Sequence, residues 1–325
     1  VFRIDEKFYD PGYMIVDGTR IRDWKKGGHG DETFLQVLEN SCNPGFMTIG
    51  LRLGKEKLFE YIRKFGYGSK TGIDLLGESK GILFDTNKIG NVELATASFG
   101  QGNSTTPLQI LNAASAAVNG GNLHKPYILH AIGKQNNFII ENKPSLIRRV
   151  ISEETSKTVA NALESVVAKG TGRACYIDGY RIGGKTGTAQ IAENGHYLSN
   201  KFILSFLAIA PMDDPKIGVY LAIQNPHNAI QYGGTTVGPL VKKIMSESLS
   251  FLNVKKNYEG ISYQPRLWVD KPLYKIPEYI GMNKKDVKYN PYYNFIIEGT
   301  GDIIIGQMPE AGESIIEGGT VILYT

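Results

Sequence analysis

The chain predicts an α+β fold on three observations. Apolar residues recur at helical spacing through much of residues 33 to 170, and three strand-like stretches then crowd between residues 180 and 226. The last stretch, of about 55 residues, alternates on its own account after a polar, turn-rich segment. Helices first and then adjacent strands flanked by helices suggest an antiparallel sheet in the large domain. At 325 residues the chain can bury one large core and a small one. Hydrophobic content of 42% and charged content of 21% exclude a disordered or fibrous protein. The net charge of +4 is spread over scattered lysines and arginines, which argues against a nucleic-acid footprint. Two cysteines, Cys42 and Cys175, make no disulfide framework and leave the compartment open.

Residues 1 to 32 read as irregular, punctuated by "DPG", "VDG" and "KKGGHG". From Thr33, the apolar residues Phe34, Leu35, Val37 and Leu38 follow helical spacing until "SCNPG", where Pro44-Gly45 should interrupt the helix. "KEKLFEYIRKFG" is a second amphipathic helix closing on Gly66, and "TTPLQILNAASAAVNGG" a third, ending in two glycines. "SEETSKTVANALESVVAKG" begins on a capping pair, Ser152 with Thr155, and stops at Gly170. "YRIGGKTGTAQI", "FILSFLAIAP" and "KIGVYLAIQNP" read as three strands, the last two joined at "MDDP", with the helix "GPLVKKIMSESLSFL" behind them. The tail offers a short helix near Asn283 and strands in "NFIIEG", "IIIGQMPEAG" and "TVILYT". Domain boundaries follow: 1–253 for the large domain, 254–271 for a linker and 272–325 for the small module. The most apolar run, Phe202 to Pro211, is too short for a bilayer, which takes about 20 residues. The opening "VFRIDEKFYDPG" carries no initiator methionine or signal peptide and reads as a piece of something longer.

The stretch "GYRIGGKTGTAQ" fits two incompatible patterns. Gly179, Gly184, Lys185 and Thr186 satisfy the phosphate loop G-x-x-x-x-G-K-[ST], while Lys185-Thr186-Gly187 satisfies the K-T-G element of serine acyl-transfer enzymes. A phosphate loop needs a long helix starting at the lysine, and "TAQIAENGHYLSN" has no helical period. Tyr180 and Ile182 alternating with Arg181 also suggest a strand. Lys185 on a sheet edge offers a positive charge to a carboxylate or hydroxyl, and the neighbouring glycines let a substrate backbone approach. The tripeptide alone is weak, since Lys70-Thr71-Gly72 repeats it in a turn. Ser41-Cys42-Asn43, 144 positions before Lys185, adds a hydroxyl able to relay a proton and an amide able to hold a peptide carbonyl.

With "DWKKGGHG", "ENSCNPGF", "FGYGSKTGIDLLGE", "SFGQGNSTTPLQ", "KGTGRACYIDGYRIGGKTGTAQ" and "GGTTVGPL" in order, residues 10 to 250 resemble the class B penicillin-binding proteins, the D,D-transpeptidases that cross-link peptidoglycan. The tail, "KIPEYIGMN" through "GQMPEAGESIIEGGTVILYT", resembles a PASTA module, and one such copy on this catalytic type is most similar to the sporulation branch that builds spore cortex. The resemblance implies a serine β-lactamase-like α+β fold and acylation by D-Ala-D-Ala stem peptides and β-lactams. It further implies a glycosyltransferase partner, no nucleic acid and no organic cofactor, in an extracytoplasmic enzyme held by an N-terminal membrane helix that is not in these residues. By matching position, Ser41 and Asn43 form the second motif, with Ser41 in proton relay and Asn43 on substrate. Lys185, Thr186 and Gly187 form the third, and Thr188 offers the backbone N–H of an oxyanion hole. The family's first motif, S-x-x-K, supplies the acylated serine, and no such motif precedes Ser41. The nucleophile is therefore expected before Val1, and these residues alone should not acylate. A wall-binding or β-lactam-sensing protein, a D,D-carboxypeptidase and a β-lactamase stand as alternatives.

Asp10, Asp23, His29 and Cys42, at intervals of 13, 6 and 13, could give an O2NS set suited to tetrahedral zinc. Chemistry alone reads Asp10 as a turn residue before Pro11-Gly12, and Cys42 as a small buried apolar group. Some elongation-type members of the resembled family carry an Asp, Asp, His, Cys zinc site beside S-x-N, and the last two intervals match it. A structural zinc is the implication, with Asp31 as the reserve ligand.

Overall fold

A computed structural model describes residues 2–134, 137–193, 196–227, 230–265 and 273–325. Residues 194–195, the last six residues of the expected linker (266–271) and residue 272 lie outside the described residues. The chain opens with four short strands, β1 (Lys7–Asp10), β2 (Tyr13–Val16), β3 (Thr19–Arg22) and β4 (Gly30–Thr33), paired as β1–β4 and β2–β3. The irregular start expected from sequence is thus corrected. Each strand is four residues long, too short for alternation to stand out against the turn residues between them.

Thr33 caps α1 (Phe34–Asn40) through reciprocal bonds with Gln36. Pro44-Gly45 does not merely interrupt the helix. It opens a second one, α2 (Asn43–Leu53), where a proline in the first turn loses no hydrogen bond. Gly45 lets α1 and α2 close together, since a Cβ there would lie 2.4 Å from a Val37 methyl. Helix α3 (Lys55–Lys64) ends at Phe65, followed by left-handed Gly66. Helix α4 (Asn91–Ser98), unread in the sequence, packs on α2. Helix α5 (Pro107–Val118) starts on the Thr106–Gln109 capping box. Two hairpin-like pairs follow, with β5 (Asn122–Lys125) on β8 (Ser145–Arg149) and β6 (Ala131–Lys134) on β7 (Asn137–Glu141). Helix α6 (Glu153–Lys169) is capped by Ser152, which accepts the Thr155 N–H, and stops at Gly170.

The three expected strands form one antiparallel sheet. β9 (Gly183–Glu193), β10 (His196–Ala210) and β11 (Ile217–Gln224) lie in the order β11–β10–β9, so β9 is an edge. Tyr180–Ile182 precedes β9 and is not strand. Arg181 there turns back to Glu164, with Nη2 2.8 Å from the carboxylate. Helices α7 (Gly233–Thr236) and α8 (Gly238–Phe251) follow. The main core joins Leu204, Phe206 and Ala208 of β10 to Val241, Met245 and Leu249 of α8, each large side chain contributing roughly 1.5–3 kcal/mol. On the other side, Ile209 and Met212 meet Val118 of α5 and Ala160 of α6. The sheet is therefore sandwiched between helices.

Residues 273–325 carry β12 (Leu273–Lys275), β13 (Asn294–Glu298), β14 (Gly306–Met308), β15 (Ser314–Ile316) and β16 (Thr320–Tyr324), with a 3-10 turn at Lys284–Asp286. β13 and β16 run parallel, and Ile276, Tyr279, Ile304, Val321 and Leu323 form a separate core. Glu313 of this module meets Arg20 and Arg22 of β3 at 3.0 and 3.2 Å.

Candidate active site

Ser41 sits where α1 ends. Its backbone is left-handed (φ 59°, ψ 40°), and its N–H still donates to Leu38 and Val37 carbonyls. Glycine is usual at such a helix end, and a residue with a Cβ there costs about 1–2 kcal/mol. Strain retained by a serine marks a position worth asking about function. Cys42 then caps α2, and Asn43 is that helix's first residue. The kink between α1 and α2 thus exposes one hydroxyl and one amide at a single corner. Asn43 is held from below: its N–H donates to Asp23 Oδ1 at 2.9 Å and its Nδ2 to the Arg22 carbonyl at 3.3 Å.

Lys185 comes from the β9 edge, opposite Leu207 of β10. Its Nζ donates to Ser41 Oγ at 2.7 Å and to the Thr186 carbonyl at 3.2 Å. Burial of the ammonium pushes its pKa down to about 8. No helix begins at Lys185, so the phosphate-loop reading fails on the element that it needs most. Thr186, Gly187 and Thr188 continue along the same edge, opposite Phe206, Ser205 and Leu204. Thr188 Oγ1 accepts the Gly233 N–H of α7 at 3.3 Å. A Cβ on Gly233 would lie 2.5 Å from the Gly187 and Ser205 carbonyls, so α7 lies hard against this strand. Lys70-Thr71-Gly72, the second copy of the tripeptide, is tied to Glu78 instead: Thr71 donates to Glu78 Oε1 through both N–H and hydroxyl.

Beneath the Ser41 corner, Asp10, Asp23 and Cys42 bring their donor atoms within 4.8 Å of one another, all buried. His29 flanks this trio with Nε2 3.2 Å from Asp23 Oδ2, and neither of those two atoms has a hydrogen-bond partner. Asp10 is fully buried. Its carboxylate accepts the N–H groups of Gly12 at 2.7 Å and His29 at 2.8 Å. It is a turn residue, as read, and also a member of the cluster. Burial, with the charge of Asp23, pushes the Asp10 carboxyl up, and burial beside the same aspartates pushes the Cys42 thiol up. Two carboxylates and a thiol crowded out of water beside one imidazole form a donor set whose charge a divalent cation would balance. The reserve candidate Asp31 is excluded from the cluster: it lies exposed on β4. Glu32, which no spacing argument flagged, is buried beside His29, accepts from Asn40 and is pushed up by burial.

Sequence reasoning also missed Trp24, whose Nε1 donates to the Asn40 carbonyl at 3.0 Å and whose ring meets Tyr232 edge-on at 5.6 Å. The sequence signals it only through "DWKKGGHG", where no spacing argument singles out the tryptophan.

The Penicillin binding protein transpeptidase domain family matches residues 1–246. Among curated proteins, Stage V sporulation protein D of Bacillus subtilis (strain 168) is 49% identical over 326 aligned residues, covering 98% of this chain and 50% of that protein. The peptidoglycan D,D-transpeptidase FtsI homolog of Mesostigma viride is 34% identical, covering 77% of this chain and 45% of its own length. The chain thus spans about half the length, or less, of these relatives. Among solved structures, penicillin binding protein 3 from Mycobacterium tuberculosis, complexed with ampicillin, superposes with a TM-score of 0.72 at 29% identity, covering 81% of this chain and 61% of that one. The transpeptidase domain of Burkholderia pseudomallei penicillin-binding protein 3 gives 0.70 at 30% identity, covering 78% and 74%.

Proposed function

Because this chain belongs to the family of penicillin-binding protein transpeptidase domains, we propose that it carries the second and third motifs of a serine-type peptidoglycan D,D-transpeptidase that cross-links D-Ala-D-Ala stem peptides and reacts with β-lactams. The observation that carries this reading is the 2.7 Å bond between Lys185 and Ser41, residues 144 positions apart. In the reaction, a serine hydroxyl from an S-x-x-K segment outside these residues attacks the penultimate D-Ala carbonyl. The peptide C–N bond breaks, terminal D-Ala leaves, and the serine proton reaches the departing amine through the relay in which Ser41 takes part. An amine from a second stem peptide then displaces the serine from the ester. The ammonium of Lys185 polarises the Ser41 hydroxyl and attracts the substrate's terminal carboxylate. Asn43 holds the peptide amide, Thr186 and Gly187 offer the edge along which the peptide lies, and the Thr188 N–H stabilises the tetrahedral oxyanion.

The Asp10, Asp23, His29 and Cys42 group fits a structural zinc site in its buried unpartnered atoms and its donor chemistry. There it would neutralise the carboxylates and pin residues 10–29 beneath the Ser41–Asn43 corner, without entering the reaction. We assign 1–253 to the transpeptidase domain, 254–271 to a linker and 272–325 to a PASTA module, an assignment supported by the module's separate core. The 49% identity to a stage V sporulation protein supports work in spore cortex. Among the described residues, no helix is long and apolar enough to cross a membrane; the membrane anchor and the glycosyltransferase partner belong to this proposal on the strength of the family alone.

The test uses the protein in a form that includes its S-x-x-K segment. Fluorescent penicillin should label it covalently, ampicillin should compete, and Lys185→Ala should slow labelling by about 10²-fold or more. Labelling at the wild-type rate in that variant overturns the assignment.

A further inference from the structure

The two motifs reach the site on separate elements, α1 and β9, so some contact must set the gap between them. The turn after α6 occupies that gap. Helix α6 stops at Gly170, and both Gly170 and Gly172 return their N–H groups to the Val166 carbonyl, at 3.0 and 3.1 Å. This tight turn leaves Thr171 at its tip. The Thr171 N–H donates to the Glu39 carbonyl at 2.8 Å, two residues before Ser41. Its hydroxyl lies 3.2 Å from the Thr186 hydroxyl, next to Lys185.

The surroundings leave little slack. A Cβ on Gly170 would lie 2.4 Å from the Glu39 carbonyl oxygen, and one on Gly234 of α7 would lie 2.5 Å from the Thr171 carbonyl and 3.2 Å from the Thr186 methyl. The Glu39 carboxylate, 5% exposed, accepts the hydroxyl of Ser165 on α6. The ends of α1 and α6, strand β9 and helix α7 therefore converge on one threonine. A helix stop needs only the glycines, so the Thr171 hydroxyl is surplus to the turn. It meets the Thr186 hydroxyl, 3.2 Å away.

We propose that Thr171 is a positioning residue for acyl transfer: its backbone holds the end of α1 that presents Ser41, and its hydroxyl holds Thr186 on the edge that presents Lys185, so the spacing of the two motifs is set through it. The reaction part of this proposal rests on the transpeptidase reading above. A 1 Å error in such a gap costs up to about 10²-fold in rate, and loss of a single strut should cost part of that.

Two variants separate the hydroxyl from the rest of the side chain. Thr171→Val keeps the branched shape and the backbone N–H, while Thr171→Ser keeps the hydroxyl. In protein carrying the S-x-x-K segment, Thr171→Val should lower the limiting rate of penicillin acylation about tenfold, with the half-saturating concentration within about twofold and the thermal midpoint within about 2 °C. Thr171→Ser should stay within about threefold of wild type. In the 325-residue chain, hydrogen exchange across residues 183–188 should quicken in Thr171→Val and remain at the wild-type rate in Thr171→Ser, while residues 37–43, held by the retained Thr171 N–H, stay at the wild-type rate in both. Wild-type protein that takes no label defeats the transpeptidase reading, and the exchange result still decides the strut. Unchanged exchange and acylation in Thr171→Val overturn the proposal. So does a fall in acylation matched by an equal loss of folded protein, or a serine variant as impaired as the valine one.

Discussion

Gly170→Ala puts the contact between the end of α6 and the end of α1, which presents Ser41, under direct strain. The backbone at residue 170 (φ −99°, ψ −153°) suits alanine as well as glycine, so the effect is purely one of space. The new methyl would stand 2.4 Å from the Glu39 oxygen, 2.8 Å from its Cα and 2.9 Å from its carbonyl carbon. All three are backbone atoms, and no rotamer change clears them. An ordinary carbon–oxygen contact is roughly 3.4 Å, so the ends of α1 and α6 must part by about 1 Å. Because α6 packs on β9, moving the end of α1 away by that amount would stretch the Lys185–Ser41 bond from 2.7 Å beyond hydrogen-bonding range. Overpacking of this kind costs about 1–3 kcal/mol, and a domain of about 250 residues loses roughly 2–4 °C per kcal/mol. Thermal unfolding followed by circular dichroism should therefore show a midpoint lowered by about 2–12 °C. Penicillin acylation in protein that includes the S-x-x-K segment should slow by about 10-fold or more. A midpoint within about 1 °C of wild type, together with wild-type acylation, would refute the claim that this contact sets the site.

Three further outcomes follow from the same geometry. Burial holds the Lys185 ammonium near a pKa of about 8, below the free lysine value of about 10.4. Between those values the unfolded chain binds more protons, so this residue's contribution makes stability rise with pH there. Acylation should fall as the ammonium is lost, with an alkaline limb in kcat/KM near pH 8 that Lys185→Arg moves upward; a flat profile from pH 7 to 9 sinks this reading. Purified wild-type protein should carry about one zinc per chain by elemental analysis, Cys42→Ser should carry little, and a strong chelator should lower the wild-type unfolding midpoint. Metal-free, fully stable wild type would count against the site. Arg181→Ala should cost about 3–5 kcal/mol in urea unfolding, because Glu164 is buried and loses its bidentate partner, and Arg181→Met with Glu164→Gln should recover part of it. A single-variant loss under about 1 kcal/mol would show that water reaches the Glu164 carboxylate.

The legible parts of this molecule were those encoded over short distances. The helix from Ser152 to Gly170 appeared with cap and stop as read, and the one expected within residues 105–121 appeared as Pro107–Val118, because apolar period and stop lie in one contiguous stretch. Strands β9 to β11 were visible for the same reason: each is eight or more residues long. The strands of the first 33 residues and helix α4 lay beneath the resolution of pattern, being four and eight residues long. Pro44 was misread because proline carries opposite meanings inside a helix and at its first turn, and only the left-handed Ser41 separates the two cases here.

By itself the sequence determined the chemistry on offer: a serine and an asparagine two apart, a lysine among glycines on an extended stretch, and two aspartates, a histidine and a cysteine within 33 residues. Motif order and resemblance pointed to Lys185 rather than Lys70 and to Asp10 and Asp23 ahead of Asp31, but the sequence held neither the 2.7 Å meeting of Lys185 with Ser41 nor the threonine after α6 that stands between the motifs. Those are matters of distance between segments far apart in the chain. Local propensity carries no information on such distances, which the packing of α1, α6 and the β9 edge around shared glycines decides.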